Sequence, residues 1–112
     1  MVIEAQSGIE RQPVRQALAE IDIAGRNVYV DGKKAEMTPK EYELLFYLTE
    51  NAGIAVSREK LLTDVWGYDY AGDTNVVDVY IRYLRKKIDD GHERKLIHTV
   101  RGMGYVLREE TP

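Results

Sequence analysis

The stretch DTNVVDVYIRYLRKKI, residues 73–88, constrains the chain more than any other. Placed on a helix at about 100° per residue, Val77, Ile81, Leu84 and Ile88 fall within roughly 60° of one another, a narrow apolar stripe that has to be buried. The opposite face collects Asn75, Val79, Arg82 and Lys86, with Val76 and Tyr83 on one side and Asp78 on the other. An amide, small apolar groups, a tyrosine and long cations are the groups that meet base edges, thymine methyls and phosphates together. Taken alone, the segment also reads as a surface helix with solvated cations. The rest of the chain decides between the two.

A chain of 112 residues makes one domain whose core needs no staples. No apolar run reaches about 18 residues, so no membrane span is expected. The N-terminal MVIEAQ lacks the basic and apolar blocks of a signal peptide. There is no cysteine, which excludes disulfides, zinc fingers and thiol nucleophiles and fits a cytoplasmic protein. The net charge of −3 argues mildly against a nucleic-acid partner, but its distribution argues for one. Residues 82–101 carry seven basic and three acidic side chains, a local +4, whereas residues 1–57 carry six basic and nine acidic, a local −3. One cationic face on an acidic body is implied.

Residues 1–16 show no sustained period and read as a linker or mobile tail behind another domain, and residues 110–112 as a short C-terminal tail. The domain itself is expected over 17–109. Leu18, Ile21 and Ile23 lie in one extended stretch ending at Ala24-Gly25. Asn27 to Val30 then faces Lys33 to Glu36 across Asp31-Gly32, the pairing that a type I′ hairpin turn favours. Met37-Thr38-Pro39 opens a helix with Thr38 as N-cap, Pro39 at the first helical position and Glu41 closing a capping box. Met37 and Tyr42 occupy the staple positions, and the threonine oxygen is worth about 1 kcal/mol. Leu44, Leu45 and Leu48 form its buried face, and Asn51-Ala52-Gly53 ends it.

Residues 54–56 read as a short connecting strand. Ser57 caps a second helix from Arg58 to about Trp66, with Leu61, Leu62 and Val65 inward and Gly67 as its stop. Arg58 opposes the helix dipole there, a placement that suggests a phosphate contact. Trp66 reads either as core or as a surface donor to phosphate. Residues 67–73 form a loop whose two tyrosines, Tyr68 and Tyr70, either pack on the domain or touch another protein. After the third helix, residues 89–92 form a polar turn. Residues 96–100 and 105–107 then make a second hairpin with Arg101 at its tip, around a tight turn in which Gly102 and Gly104 permit close approach to a surface.

The order is sheet, helix, short strand, helix, loop, cationic helix and basic hairpin. That is an α+β winged helix-turn-helix, with an N-terminal antiparallel sheet, three helices and a C-terminal β-hairpin wing. Leu44-Leu45, SREKLL (57–62), VWG (65–67), VDVYIRYLR (77–85) and TVRGMGY (99–105) closely resemble the effector domain of the OmpR/PhoB family of bacterial response regulators. The resemblance covers about residues 17–108. It implies sequence-specific binding of double-stranded DNA, the helix over about 74–89 in the major groove and the wing over about 97–107 in the adjacent minor groove. It further implies phosphate contacts from Arg58, Trp66, Tyr80, Arg82, Arg85, Lys86 and Thr99, and base reading by Asn75, Val76, Val79 and Tyr83. Arg101 matches the wing arginine of the minor groove. Tyr68, Asp69 and Tyr70 fall in the loop that some members use to touch RNA polymerase. Family members bind direct repeats as tandem head-to-tail dimers, and a receiver domain and a sensor histidine kinase are implied for the full-length protein. With the receiver outside these residues, no phosphorylation switch is expected in this chain alone. Val76 and Tyr83 stand where related members carry threonine or arginine, so base preference does not transfer, and contact with thymine methyls is the chemical expectation.

The sequence bears on two other classes. A winged-helix protein-interaction module, without DNA binding, draws on Tyr68, Tyr70 and the net negative charge. An enzyme finds no support: His92 and His98 have no metal-ligand companions, and Glu41, Glu43 and Glu50 are capping or surface carboxylates. No catalytic residue, metal or cofactor is expected.

Overall fold

A computed structural model describes residues 19–22, 24–92 and 94–109. The expectations for Leu18, Ile23 and the two tails lie outside these residues. Strands β1 (Ala19–Asp22), β2 (Asn27–Val30) and β3 (Lys33–Lys34) form an antiparallel sheet in sequence order. Helices α1 (Pro39–Glu50), α2 (Arg58–Leu61) and α3 (Val76–Ile88) follow, and a hairpin of β4 (Ile97–Val100) and β5 (Gly104–Leu107) closes the chain. This is the winged helix-turn-helix expected.

Asp31 and Gly32 both take positive φ, 55° and 80°, as the hairpin turn requires. Strand β3 stops after two residues, short of the expected Glu36; beyond it only the Ala35 N–H still donates to Val28 O, at 2.8 Å. The start of α1 is as read. Glu41 N–H donates to Thr38 Oγ1 at 3.3 Å, and Thr38 N–H donates to Glu41 Oε1 at 2.8 Å. Glu41 Oε1 also accepts Lys87 Nζ from α3 at 2.8 Å, so the cap box joins the two helices. Burial pushes the Glu41 carboxyl up, but the Lys87 ammonium and the Thr38 N–H outweigh it and hold it below its ordinary value.

Four boundaries differ from expectation. Residues 54–56 are no strand: Val56 forms a single bridge to Tyr105, its N–H donating to Tyr105 O at 2.8 Å and its carbonyl accepting Tyr105 N–H at 3.0 Å. The second helix runs as α only to Leu61 and continues as a π-helical turn over Leu62–Trp66, with Gly67 N–H reaching back to Leu62 O. That widened turn leaves Leu62 half-buried while Leu61 and Val65 are buried. Helix α3 begins at Val76 rather than about 74, because Asp73 holds a preceding turn. Its carbonyl accepts Val76 N–H, and its side chain accepts Asn75 N–H. It ends at Ile88, one residue before the expected limit.

The core runs from Ile21 and Val28 of the sheet through Leu44, Leu45 and Leu48 of α1 to Val77, Ile81, Leu84 and Ile88 of α3 and Leu107 of the wing. The α3 stripe is at most 1% exposed, which fixes the direction in which each other side chain of that helix points.

The turn read as simply polar contains a buried carboxylate. Asp89 is 3% exposed and accepts the N–H groups of Leu96 at 3.0 Å and Ile97 at 3.1 Å, pinning the start of β4 to the end of α3. Burial raises its pKa, more than the two donors lower it. Asp89→Ala leaves two buried donors without an acceptor and is expected to cost about 2–4 kcal/mol. Asp89→Asn, which keeps an acceptor oxygen, costs less; urea unfolding of both variants measures the difference.

Candidate nucleic-acid interface

Because the stripe of α3 is sealed, Asn75 before its first turn and Arg82, Tyr83 and Lys86 along it are exposed, while Val76 and Val79 are half-buried between them. No ion pair among the described residues engages Arg82, Lys86 or Arg101. Arg101 is exposed at the tip of the β4–β5 turn, where Met103 N–H donates to Val100 O at 2.8 Å. Of the two glycines that follow Arg101, Gly104 serves the fold itself. Its φ is 131°, and a Cβ there would collide with the Val56 carbonyl, so the close approach is to the chain's own backbone. Gly102, with φ +77°, faces open space.

One flank of α3 is aromatic. Trp66 meets Tyr80 edge-on at 5.3 Å between ring centroids, and Tyr80 meets Tyr83 at 5.4 Å. Trp66 and Tyr80 are half-buried against the core, so the outermost ring, Tyr83 at 42% exposure, is braced from behind. Of the two readings of Trp66, the structure supports packing on the core, and from there the ring backs the outward face through Tyr80. Lys40 of α1 stands over its ring at 5.7 Å.

The other flank faces the wing. Arg85 Nη2 donates to Thr99 Oγ1 at 2.8 Å and to Ile97 O at 3.3 Å, with the guanidinium 5.7 Å from the Tyr105 ring. Arg85 and Thr99, expected separately as phosphate contacts, are therefore hydrogen-bonded to each other. Arg58, at the start of α2, donates to Asp78 Oδ2 at 2.5 Å, and this bond raises its pKa further. The Tyr105 phenol donates to Asp78 Oδ1, also at 2.5 Å. Residues 57–59, Asp78 and 99–105 line an open cleft of about 500 Å³ between α2, α3 and the wing.

The loop before α3 separates its two tyrosines. Tyr68 is 93% exposed and Asp69 is exposed. Of the two readings left open for the loop tyrosines, Tyr70 takes the packed one: it folds back half-buried against Gly72, and its hydroxyl donates to Asp73 O at 3.2 Å. His92 is paired with Asp31 Oδ1 at 3.2 Å, and no group of three or more metal-ligating side chains occurs among the described residues. Sequence reasoning missed the part played by Asp78 and Tyr105. One signal was available: Asp78 is the only acid between Val76 and Ile88.

Comparison with known proteins follows the same lines. Residues 32–107 match the family model described as "Transcriptional regulatory protein, C terminal". The transcriptional regulatory protein PrrA of Mycobacterium tuberculosis is 52% identical over 89 residues, 80% of this chain and 38% of that protein. Among solved structures, the response regulator DrrB, described as a Thermotoga maritima OmpR/PhoB homologue, superposes with a TM-score of 0.73. It is 34% identical, and the match covers 96% of this chain and 49% of that one. The Klebsiella pneumoniae RstA DNA-binding domain, solved in complex with the RstA box, is 33% identical with a TM-score of 0.67, over 80% of this chain and 90% of that one. The chain spans well under half the length of PrrA.

The Tyr105 phenol is pushed up to about 12 by burial and by the Asp78 carboxylate beside it. A raised phenol pKa means that the stabilisation is complete below the ordinary value of 10.0 and is lost as pH rises through about 12. Tyr105→Phe is expected to abolish that component. The stability difference between wild type and variant, measured by urea unfolding, should then shrink across this alkaline window.

Proposed function

The chain belongs to the family of C-terminal DNA-binding effector domains of OmpR/PhoB response regulators, and from that premise we propose that it binds specific double-stranded DNA sites through α3 and the wing. Helix α3 enters the major groove. Arg82, Lys86, Arg58, Arg85 and Thr99, with Trp66 and Tyr80 at the margin, track phosphates and set the register. Asn75, Val76, Val79 and Tyr83 read bases. Valine methyls and the edge of a tyrosine ring favour thymine methyls, and the Asn75 amide suits adenine. Arg101 at the wing tip enters the adjacent minor groove, where A·T-rich narrowing attracts arginine. The observation that carries this reading is the outward row of Arg82, Tyr83 and Lys86, exposed beside a wing whose tip presents Arg101.

The same reading extends to the longer protein. Two copies occupy a direct repeat as a tandem dimer. A receiver domain preceding this one, addressed by a sensor histidine kinase, controls their pairing. Tyr68 and Asp69, more than Tyr70, offer the surface that meets RNA polymerase, because Tyr68 is almost wholly exposed. Function on chromosomal DNA places the protein in the cytoplasm. Among the described residues no helix is long and apolar enough to cross a membrane. The work is binding, without catalysis or cofactor.

The test is a titration of fluorescent duplex at several salt concentrations, on random sequence and on a site selected by the wild-type domain. About four phosphates neutralised per protomer give a log–log salt slope of roughly −3 to −4. Arg82→Ala is expected to weaken both duplexes and reduce the slope by about 1. Tyr83→Ala is expected to lose about 1–3 kcal/mol on the selected site and little on random sequence. No binding at low salt by a folded domain would overturn the proposal and favour a protein-interaction module centred on Tyr68.

A further inference from the structure

A carboxylate on a DNA-facing helix repels phosphate, and Asp78 stands in the first turn of α3, beside the cleft between that helix and the wing. Both of its oxygens are engaged. Oδ2 accepts Arg58 from the start of α2 and Oδ1 accepts the phenol of Tyr105 from β5, each at 2.5 Å. One side chain thereby joins three elements that are remote in sequence. Tyr105 is bridged in turn to Val56, directly before the Ser57 cap of α2, so the three attachments close a ring. The Tyr105 hydroxyl is held protonated, as a donor must be, and the ring lies beneath the Arg85 guanidinium.

We propose that Asp78 is a positioning residue for DNA recognition: its carboxylate clamps Arg58 and the wing strand at the spacing in which both meet the duplex that α3 reads. The proposal rests on the DNA-binding reading above. Its consequence has a sign opposite to that of charge alone. Removing a negative charge from the interface strengthens binding to any duplex if Asp78 is merely an acid near DNA. Removing a clamp weakens binding to the selected site, because the wing and Arg58 then have to be ordered during binding. A third role, direct reading of a cytosine amino group, is open to an aspartate in a major groove. It predicts no coupling to Tyr105.

The experiment is a double-mutant cycle of Asp78→Ala and Tyr105→Phe, with Asp78→Asn alongside, titrated against the wild-type-selected duplex and against random duplex. Asp78→Ala is expected to weaken the selected duplex about tenfold while leaving random duplex unchanged or tighter. Asp78→Asn keeps an acceptor for the phenol and should fall between wild type and Asp78→Ala. The double variant is expected to bind about as Asp78→Ala does, since the second change removes a bond already lost. Equal tightening of both duplexes by Asp78→Ala and Asp78→Asn would overturn the proposal, as would strict additivity with Tyr105→Phe. Amide hydrogen exchange of β4 and β5 in the free domain reads the clamp without DNA and is expected to accelerate in both Asp78 variants. Unchanged exchange would sink the clamp, whereas a wild-type domain that binds no duplex would sink the DNA reading instead. Should Asp78→Ala fail to fold, Asp78→Asn and Tyr105→Phe carry the same comparison.

Discussion

The burial of four side chains, Val77, Ile81, Leu84 and Ile88, determines how the rest of this molecule is used. Each gains roughly 1.5–3 kcal/mol on leaving water. Their stripe is narrow, so the helix has one rotational setting in which all four are covered. That setting aims Arg82, Tyr83 and Lys86 away from the core without further instruction. It also assigns the two flanks: Tyr80 and Lys87 toward the π-helical turn and α1, Asp78 and Arg85 toward the wing. The outward face is a by-product of core packing, and its precision is that of the core.

The flanks convert this setting into a rigid assembly. Lys87 reaches the buried Glu41 and the Glu36 carbonyl, so the C-terminal half of α3 is tied to the N-terminus of α1. Asp89 holds the first two residues that lead into the wing, and Arg85 covers the Ile97 carbonyl beyond them. Asp78 holds the other strand of the wing through Tyr105. A β-hairpin alone is marginally stable in water. Here it is anchored to α3 at the start of β4 and again through Tyr105, which also carries the bridge to Val56, and the Arg101 turn is left as its protruding part.

Much of this was legible in the sequence, and what was legible was local. Thr38-Pro39 with Glu41 specifies a helix start through bonds closed within four residues, and Asp31-Gly32 specifies its turn through φ alone. The apolar stripe likewise needs only the helical period. The missed features depend on partners far along the chain: Glu41 with Lys87, Asp78 with Tyr105, Asp89 with the start of β4. No spacing rule announces that an aspartate after a helix will be 3% exposed. The π-helical turn was hidden for a related reason. Within it Val65 is buried and Trp66 packs on Tyr80, contacts remote in the chain that the residue types alone do not announce. For the interface, the types and positions of the outward residues were readable, but the mutual engagement of Arg58, Asp78, Tyr105, Arg85 and Thr99 was not.

The acidic net charge also becomes intelligible once its placement is known. Exposed carboxylates at Glu20, Glu36, Glu43 and Glu50 sit on the first sheet, the segment after it and α1. Three acids nearer the cationic face are engaged, Asp78 by Arg58 and Tyr105, Asp64 by Lys60 and Tyr47, and Glu41 by Lys87. What remains unpaired on α3 and the wing tip is cationic. A body that is negative overall and positive on one face is repelled from a polyanion in most orientations and attracted in one. The same charges that would weaken indiscriminate binding therefore orient the productive encounter.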